Sequence, residues 1–494
     1  MAGSARVFAA QYASHAALAL ILLLAAYLRL EGLGASSLWL DECYTAQFSQ
    51  YGISDVVKTC WGDVHPPLFF FIANGVMKLS GKSEFFLRLP SALFGVAACL
   101  ATFLLARMLV GRRFALLAAL LMAVCPLAID HSREARSYPL AMFIGTMLTV
   151  AMLRLCESPT RRRVITVVLW GALLAYTHYV GLIYLFSLVS ASLLLSGFSS
   201  EAKRSVAKAS LLVLILFSPW IPVFIGQLGG KQPHIGRFSL ISLRDVFWAH
   251  GPLSAIRNEG LSCLAGALFL SFVVLSVIRS ILPPGSSSPP RDAHFQSMVR
   301  CLSGTLIFFA AVYYLLGFWR PSFLSKMALV VYPVLMSLFA VGVAAIVEAR
   351  KGRGYRRATS SAIALVTLAL ALASAAEYRP PVHPDIRSLF EFLKQRPASE
   401  PLLLCRNDAA PMADFYLPNA AGMFHSGRMF FLPDVDAVSA KLDTLRRSER
   451  LWVVSTSPGK TPLEDLAERQ LKRLDVAEFD RCYAILYTWP DNQK

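Results

Sequence analysis

The sequence is short of charge, and of acid most of all. Charged residues fill 16% of 494 positions and hydrophobic ones 56%, which excludes an ordinary soluble protein, since a water-facing surface needs more charge than this to hide so much apolar side chain. A mean hydropathy of +0.53 belongs to a polytopic membrane protein. Acidic residues number 31 against 48 lysines and arginines, a net charge of +17 that in a soluble chain would point to nucleic acid. Here the basic residues fall in short clusters between apolar segments and form no stripe, so they report topology and imply no nucleic-acid partner. Nine cysteines contain no Cys-x-x-Cys pair, which removes the common zinc frameworks. There is no Asn-x-Ser/Thr site, and Ser457-Pro458-Gly459-Lys460-Thr461 lacks the glycine spacing of a phosphate loop. No internal repeat is visible, and charges sit at span ends, against the pattern of a duplicated transporter.

What is present is a series of long apolar runs. Spans can be drawn at about 9–30, 86–110, 114–130, 138–156, 163–178, 179–198, 206–226, 260–282, 299–318, 327–347 and 359–376. With the N-terminus inside, these eleven spans put four basic clusters on the cytoplasmic side: Arg107 with Arg112 and Arg113, Arg161 to Arg163, Lys203 with Arg204 and Lys208, and Arg350 to Arg357. Residues 67–80 are apolar but short and proline-led. Counting them as a span would invert every later cluster, so they read as an interfacial or re-entrant helix on the outer side. The first 30 residues read as an uncleaved signal anchor.

These spans organise the chain as a membrane-embedded domain over 1–376, with a first outer loop at 31–85 that carries interfacial helices, and an outer α/β domain over 377–494. In the latter, Asp385–Gln395 and Pro462–Leu474 read as helices; Pro401–Cys405, Leu451–Ser455 and Cys482–Thr488 read as strands. The predicted fold class is mainly α and polytopic, with a small C-terminal α/β domain. Cys43 and Cys60 share the first outer loop and Cys405 and Cys482 share the outer domain; disulfides or buried thiols both fit.

Polar motifs gather at the outer ends of the spans. Asp41 and Glu42 lie in Leu38-Trp39-Leu40-Asp41-Glu42-Cys43-Tyr44, and two adjacent carboxylates beside a bilayer are costly enough to suggest chemistry or ion binding. Asp63-Val64-His65-Pro66-Pro67-Leu68 opens the interfacial helix. His131-Ser132-Arg133-Glu134-Ala135-Arg136-Ser137-Tyr138 joins the third and fourth spans, Thr177-His178-Tyr179 the fifth and sixth, and Arg320 and Lys326 flank the tenth. Arg133 and Arg136 share one acid between two guanidinium groups, which leaves positive charge for a phosphate. Arg88 and Arg320 read as snorkelling anchors, and the tyrosines as an aromatic belt.

In order, Leu38-Trp39-Leu40-Asp41-Glu42, His65-Pro66-Pro67-Leu68, Arg88-Leu89-Pro90-Ser91-Ala92-Leu93-Phe94-Gly95, Ser132-Arg133-Glu134-Ala135-Arg136-Ser137-Tyr138 and Thr177-His178-Tyr179-Val180-Gly181-Leu182 resemble the GT-C membrane glycosyltransferases. The resemblance is to bacterial relatives of the protein O-mannosyltransferases and of the lipid A aminoarabinose transferase. It covers about the first 200 residues. Ser325-Lys326-Met327 stands where relatives commonly carry an Arg-Tyr pair, and lysine keeps the charge without the fork.

The resemblance implies a GT-C fold, a polyprenyl-phosphate sugar donor and a catalytic acid in the first outer loop. Glycosyl transfer needs a carboxylate to take the acceptor proton and cations to steady the departing phosphate. On that chemistry Asp41 is the general base and Glu42 its partner. Arg133, Arg136 and Lys326 bind the donor phosphate, and His65, Glu134, Tyr138 and His178 contact substrate. A divalent ion, Mg²⁺ or Mn²⁺, would be held by Asp41 and Glu42 if one is used. The acceptor would be a protein, a lipid or a polysaccharide, and the setting a bacterial inner membrane with the site on the extracytoplasmic side. A transporter or flippase of a lipid-linked or anionic substrate is the alternative.

Overall fold

The computed structural model describes residues 2–228, 253–281, 290–319, 325–349, 352–404 except 382 and 398, 409–425 except 418, 429–431, 445, 448–456 and 462–489. Arg320 and Cys405 lie outside the described residues. The chain divides into two compact units, one of residues 1–31, 57–69 and 89–380, the other of 32–56, 70–88 and 381–494.

The first unit is helical and accounts for the predicted spans. Eight described helices are long and apolar enough to cross a membrane: Tyr12–Leu30, Glu84–Val124, Tyr138–Glu157, Ser200–Leu228, Glu259–Ile281, Ala293–Leu316, Lys326–Ala349 and Gly354–Glu377. The second and third predicted spans both fall in Glu84–Val124, whose backbone breaks at Gly111 (φ 74°), a left-handed conformation that glycine adopts without strain. The third ends at Val124, because Cys125 is extended and Pro126 begins a separate short helix, Pro126–Ser132. The fifth is the 15-residue helix Arg161–Ala175 and the sixth the apolar stretch Tyr179–Leu195. Residues 67–80 form a helix of 13 residues, Leu68–Ser80, too short to span.

Six hydroxyl groups inside the spans are satisfied by their own helix. Thr102, Thr146, Thr149, Ser187, Ser192 and Ser337 each donate to the carbonyl four residues earlier, the economical solution where no water is available. Lys326–Ala349 and Tyr138–Glu157 are the most buried of the eight. Gly342 lets the first of these meet Glu259–Ile281 closely: an added Cβ would lie 2.1 Å from the Phe272 carbonyl oxygen. At the end of the first span Arg29 is fully buried. It donates to the carbonyls of Ala25, Met122 and Ala123 and to Ser132 Oγ, so it caps carbonyls that the end of Glu84–Val124 would leave unpaired.

The second unit contains a five-stranded sheet in the order β2-β1-β3-β5-β4, with β1 Leu402–Leu404, β2 Met429–Phe431, β3 Arg450–Ser455, β4 Lys472–Phe479 and β5 Cys482–Thr488. β1 pairs in parallel with β2 and β3; β5 is antiparallel to β3 and β4. The helix Ile386–Lys394 forms where the sequence indicates, capped by the Asp385 side chain. The predicted helix 462–474 is shorter, Pro462–Gln470, since Lys472 already begins β4. This unit also includes 32–56 and 70–88, pieces of the first outer loop that the sequence grouped with the membrane domain. Arg387 bonds Glu84 and the Gly34 carbonyl, and the Tyr416 hydroxyl accepts from Leu38 N. These contacts cross more than 300 positions, beyond any local pattern. Cys43, Cys60 and Cys482 are buried free thiols.

Candidate active site

In the second unit, Asp41 and Glu42 open the helix Leu40–Ser49, where two acids complement the positive end of the helix dipole. The two carboxylates then part company. Glu42 is fully buried. Its Oε1 accepts from Arg88 Nε at 2.7 Å and its Oε2 from Arg88 Nη2 at 2.6 Å. Oε2 also accepts from Trp39 N at 3.2 Å, the reciprocal half of a capping box. Asp41 stays partly exposed.

Arg88, read from the sequence as a snorkelling anchor, is 2% exposed. Besides Glu42 it binds the carbonyls of Leu33, Ser36 and Ser37, so it organises the chain leading into Asp41. A charge that close to a span end gave no sign of an acid 46 positions away. Glu42 does not suit a shared divalent ion with Asp41, because both of its oxygens already face a guanidinium fork. Among the described residues no group of three metal-binding side chains occurs.

In the first unit, four separated stretches bring polar groups together. Asp63 Oδ2 accepts from His65 Nδ1 at 2.9 Å, and Arg136 Nη2 donates to His65 Nε2 at 3.2 Å. His65 lies edge-on to His178, ring centroids 5.3 Å apart, and Tyr138 packs against both His178 and His131. Lys326 Nζ sits 5.2 Å from the centre of the Tyr138 ring, within cation–π range. Glu134 accepts from His131 Nδ1 at 2.9 Å.

The loop geometry explains these placements. Leu68 N donates to the Tyr176 carbonyl, tying the stretch after His65-Pro66-Pro67 to the one before His178. Ser91 Oγ donates to the Arg136 carbonyl. Gly95 makes room, since a Cβ there would lie 2.2 Å from Ser132 Oγ and 2.8 Å from Arg29 Nε.

Arg133 and Arg136 go to different partners, Arg133 to the Leu28 carbonyl at 3.1 Å and Arg136 to His65. Asp63 and Asp130 were absent from the sequence candidates. Asp63 is partly buried, and that desolvation raises its carboxyl pKa, but the hydrogen bond from His65, the Val64 N–H and the nearby Arg136 charge outweigh this and hold it below its ordinary value. Asp130 is pushed up to about 6, mainly by burial, while a bond from the Tyr378 hydroxyl works the other way.

His178 has one detail of consequence. Its Nδ1 caps the helix that begins at Tyr179 by accepting from Val180 N at 3.1 Å. Burial first, and then the charges of Arg136 and Lys326, push its pKa well down, so the ring is neutral and Nε2 carries the hydrogen. That buried N–H finds no acceptor among the described residues.

Residues 64–222 match the family described as dolichyl-phosphate-mannose-protein mannosyltransferase. No curated protein sequence matches the chain. Among solved structures, ArnT from Cupriavidus metallidurans in the apo state is similar over 96% of this chain and 98% of that one, at 14% identity and a TM-score of 0.64. The same protein bound to undecaprenyl phosphate is similar over 95% and 97%, at 14% identity and a TM-score of 0.59.

Proposed function

We propose that this chain, a multi-pass GT-C membrane glycosyltransferase related to the protein O-mannosyltransferases and the lipid A aminoarabinose transferase, moves a sugar from a polyprenyl-phosphate donor to an acceptor on the extracytoplasmic side of a bacterial inner membrane. The observation that carries the reading is the buried His178 N–H, which lacks an acceptor among the described residues and lies in the field of Arg136 and Lys326. A buried donor without a partner costs about 1–3 kcal/mol. A phosphate oxygen is the acceptor that two neighbouring cations would also attract.

On this reading Arg136, Lys326 and His178 hold the donor phosphate, while Arg133 adds charge from its own loop. Tyr138 shapes the wall, and His65 and Glu134 line it. The sugar C1–O bond to phosphate breaks, the acceptor oxygen bonds to C1, and the acceptor's proton passes to the carboxylate of Asp41. The departing polyprenyl phosphate is a stable anion and needs cations more than an acid. Glu42 serves this chemistry indirectly, by fixing the helix on which Asp41 is mounted.

The experiment is reconstitution of the purified chain in liposomes with polyprenyl-phosphate-linked hexose or aminopentose, together with mass spectrometry of cell envelopes with and without it. Released polyprenyl phosphate and one missing envelope glycan are expected. The absence of both release and a missing glycan would contradict the proposal, and movement of intact donor across the bilayer would favour a flippase.

A further inference from the structure

Asp63, His65 and Arg136 form a hydrogen-bonded chain whose direction is dictated by chemistry. Arginine has five N–H donors, no acceptor, and stays protonated in proteins. Its contact with His65 Nε2 at 3.2 Å therefore requires a lone pair there. A neutral imidazole with a bare Nε2 carries its hydrogen on Nδ1, and Nδ1 lies 2.9 Å from Asp63 Oδ2. Both ends of the ring thus demand the same tautomer. The opposite tautomer would set N–H against N–H at one end and a lone pair against a carboxylate at the other.

We infer that Asp63 is a positioning residue: it holds His65 as the Nδ1–H tautomer, so that Nε2 receives Arg136 and sets the orientation of the guanidinium that binds the donor phosphate. The last clause rests on the function proposed above; the tautomer does not. The charged and titratable groups around the ring agree with this assignment. Asp63 is on its own loop, Arg136 comes from the loop before Tyr138, and His178 faces it edge-on as a neutral ring of the other tautomer, its Nδ1 occupied by Val180 N. Neither histidine presents a bare nitrogen to a metal ion, because His65 Nε2 faces a guanidinium and His178 Nδ1 faces an amide. The arrangement parallels an enzyme carboxylate that orients a histidine without itself reacting.

Undecaprenyl phosphate binding to the purified full-length protein in detergent tests the idea in four variants. Asp63→Ala should weaken binding about tenfold, the effect of losing roughly 1.4 kcal/mol, by letting His65 turn its hydrogen toward Arg136. His65→Gln, whose carbonyl oxygen can still accept from Arg136 and which has no tautomer, should stay within about threefold of the parent. In that background Asp63→Ala should add less than about twofold, since the two sites act as one. An equal loss in both backgrounds, or no loss in either, overturns the inference. Arg136→Gln is the control for the function itself: unchanged binding there would overturn the phosphate assignment alone. Nitrogen-15 spectra of histidine-labelled parent protein, with the His65 signals assigned by their loss in His65→Gln, read the tautomer without relying on any variant's folding. A protonated Nε2 on His65 overturns the inference outright.

Discussion

Arg88 and Glu42 are joined by two parallel hydrogen bonds, Nε to Oε1 at 2.7 Å and Nη2 to Oε2 at 2.6 Å, with both side chains almost wholly removed from solvent. A buried pair of this kind is unforgiving of the loss of one member, because the survivor is left as an uncompensated charge. Glu42→Gln is expected to destabilise the protein by about 3–5 kcal/mol, read by thermal or denaturant unfolding of the purified chain. The double variant Glu42→Leu with Arg88→Leu should lose less than the sum of the two singles. Additive losses would show that the pair is not the organising contact. Arg88→Lys should behave as a loss, since an ammonium cannot reproduce the fork.

The same logic applies to a small residue with a large neighbour. Gly95 faces Ser132 Oγ at a distance no Cβ tolerates, and the Arg29 side chain that bonds Ser132 has little freedom to withdraw. Gly95→Ala should cost about 1–3 kcal/mol through overpacking, and Ser132→Ala in the same chain should recover part of it. An unaltered melting temperature for Gly95→Ala would show that the helix ends adjust more freely than this packing implies.

Much of this molecule was legible in the sequence, and the reasons are physical. Membrane spans announce themselves by length and hydropathy, so ten of the eleven predicted runs fall on apolar helices, two of them merged across Gly111, while the fifth falls on the 15-residue helix Arg161–Ala175. The motifs at span ends were found because charge there is costly and stands out. What they bond was not legible. Arg88 looked like an anchor because its acid lies 46 positions away. Asp63 passed for the first residue of a motif, although it sets the tautomer of the motif's histidine. β2 and β4 were missed for different reasons: the first has three residues, and the second is exposed at most positions, so it lacks an apolar run.

Asp130 gives a pH dependence with a definite sign. Its carboxyl ionises at about 6 in the folded protein and at about 3.9 when unfolded. Between those values the native state keeps a proton that the unfolded chain has released, so its contribution to stability falls as pH rises from about 4 to 6 and is constant above that. Asp130→Asn should therefore be more stable than the parent at pH 7–8, by at most about 3 kcal/mol. The difference should vanish below about pH 4, and the Tyr378 hydroxyl can still donate to the amide oxygen. Parallel stability curves for variant and parent across that range would contradict the assignment.

The central claim is that Asp41 takes the acceptor proton in glycosyl transfer, and it is tested most directly by Asp41→Asn in the liposome assay with polyprenyl-phosphate-linked sugar. The asparagine fits the same partly exposed position at the start of its helix but cannot act as a base near neutral pH. Transfer is expected to fall by about 10²–10⁴-fold, the usual contribution of a general base, while undecaprenyl phosphate binding and the melting temperature stay close to those of the parent. Transfer at the parental rate by a folded, donor-binding Asp41→Asn protein would contradict the account.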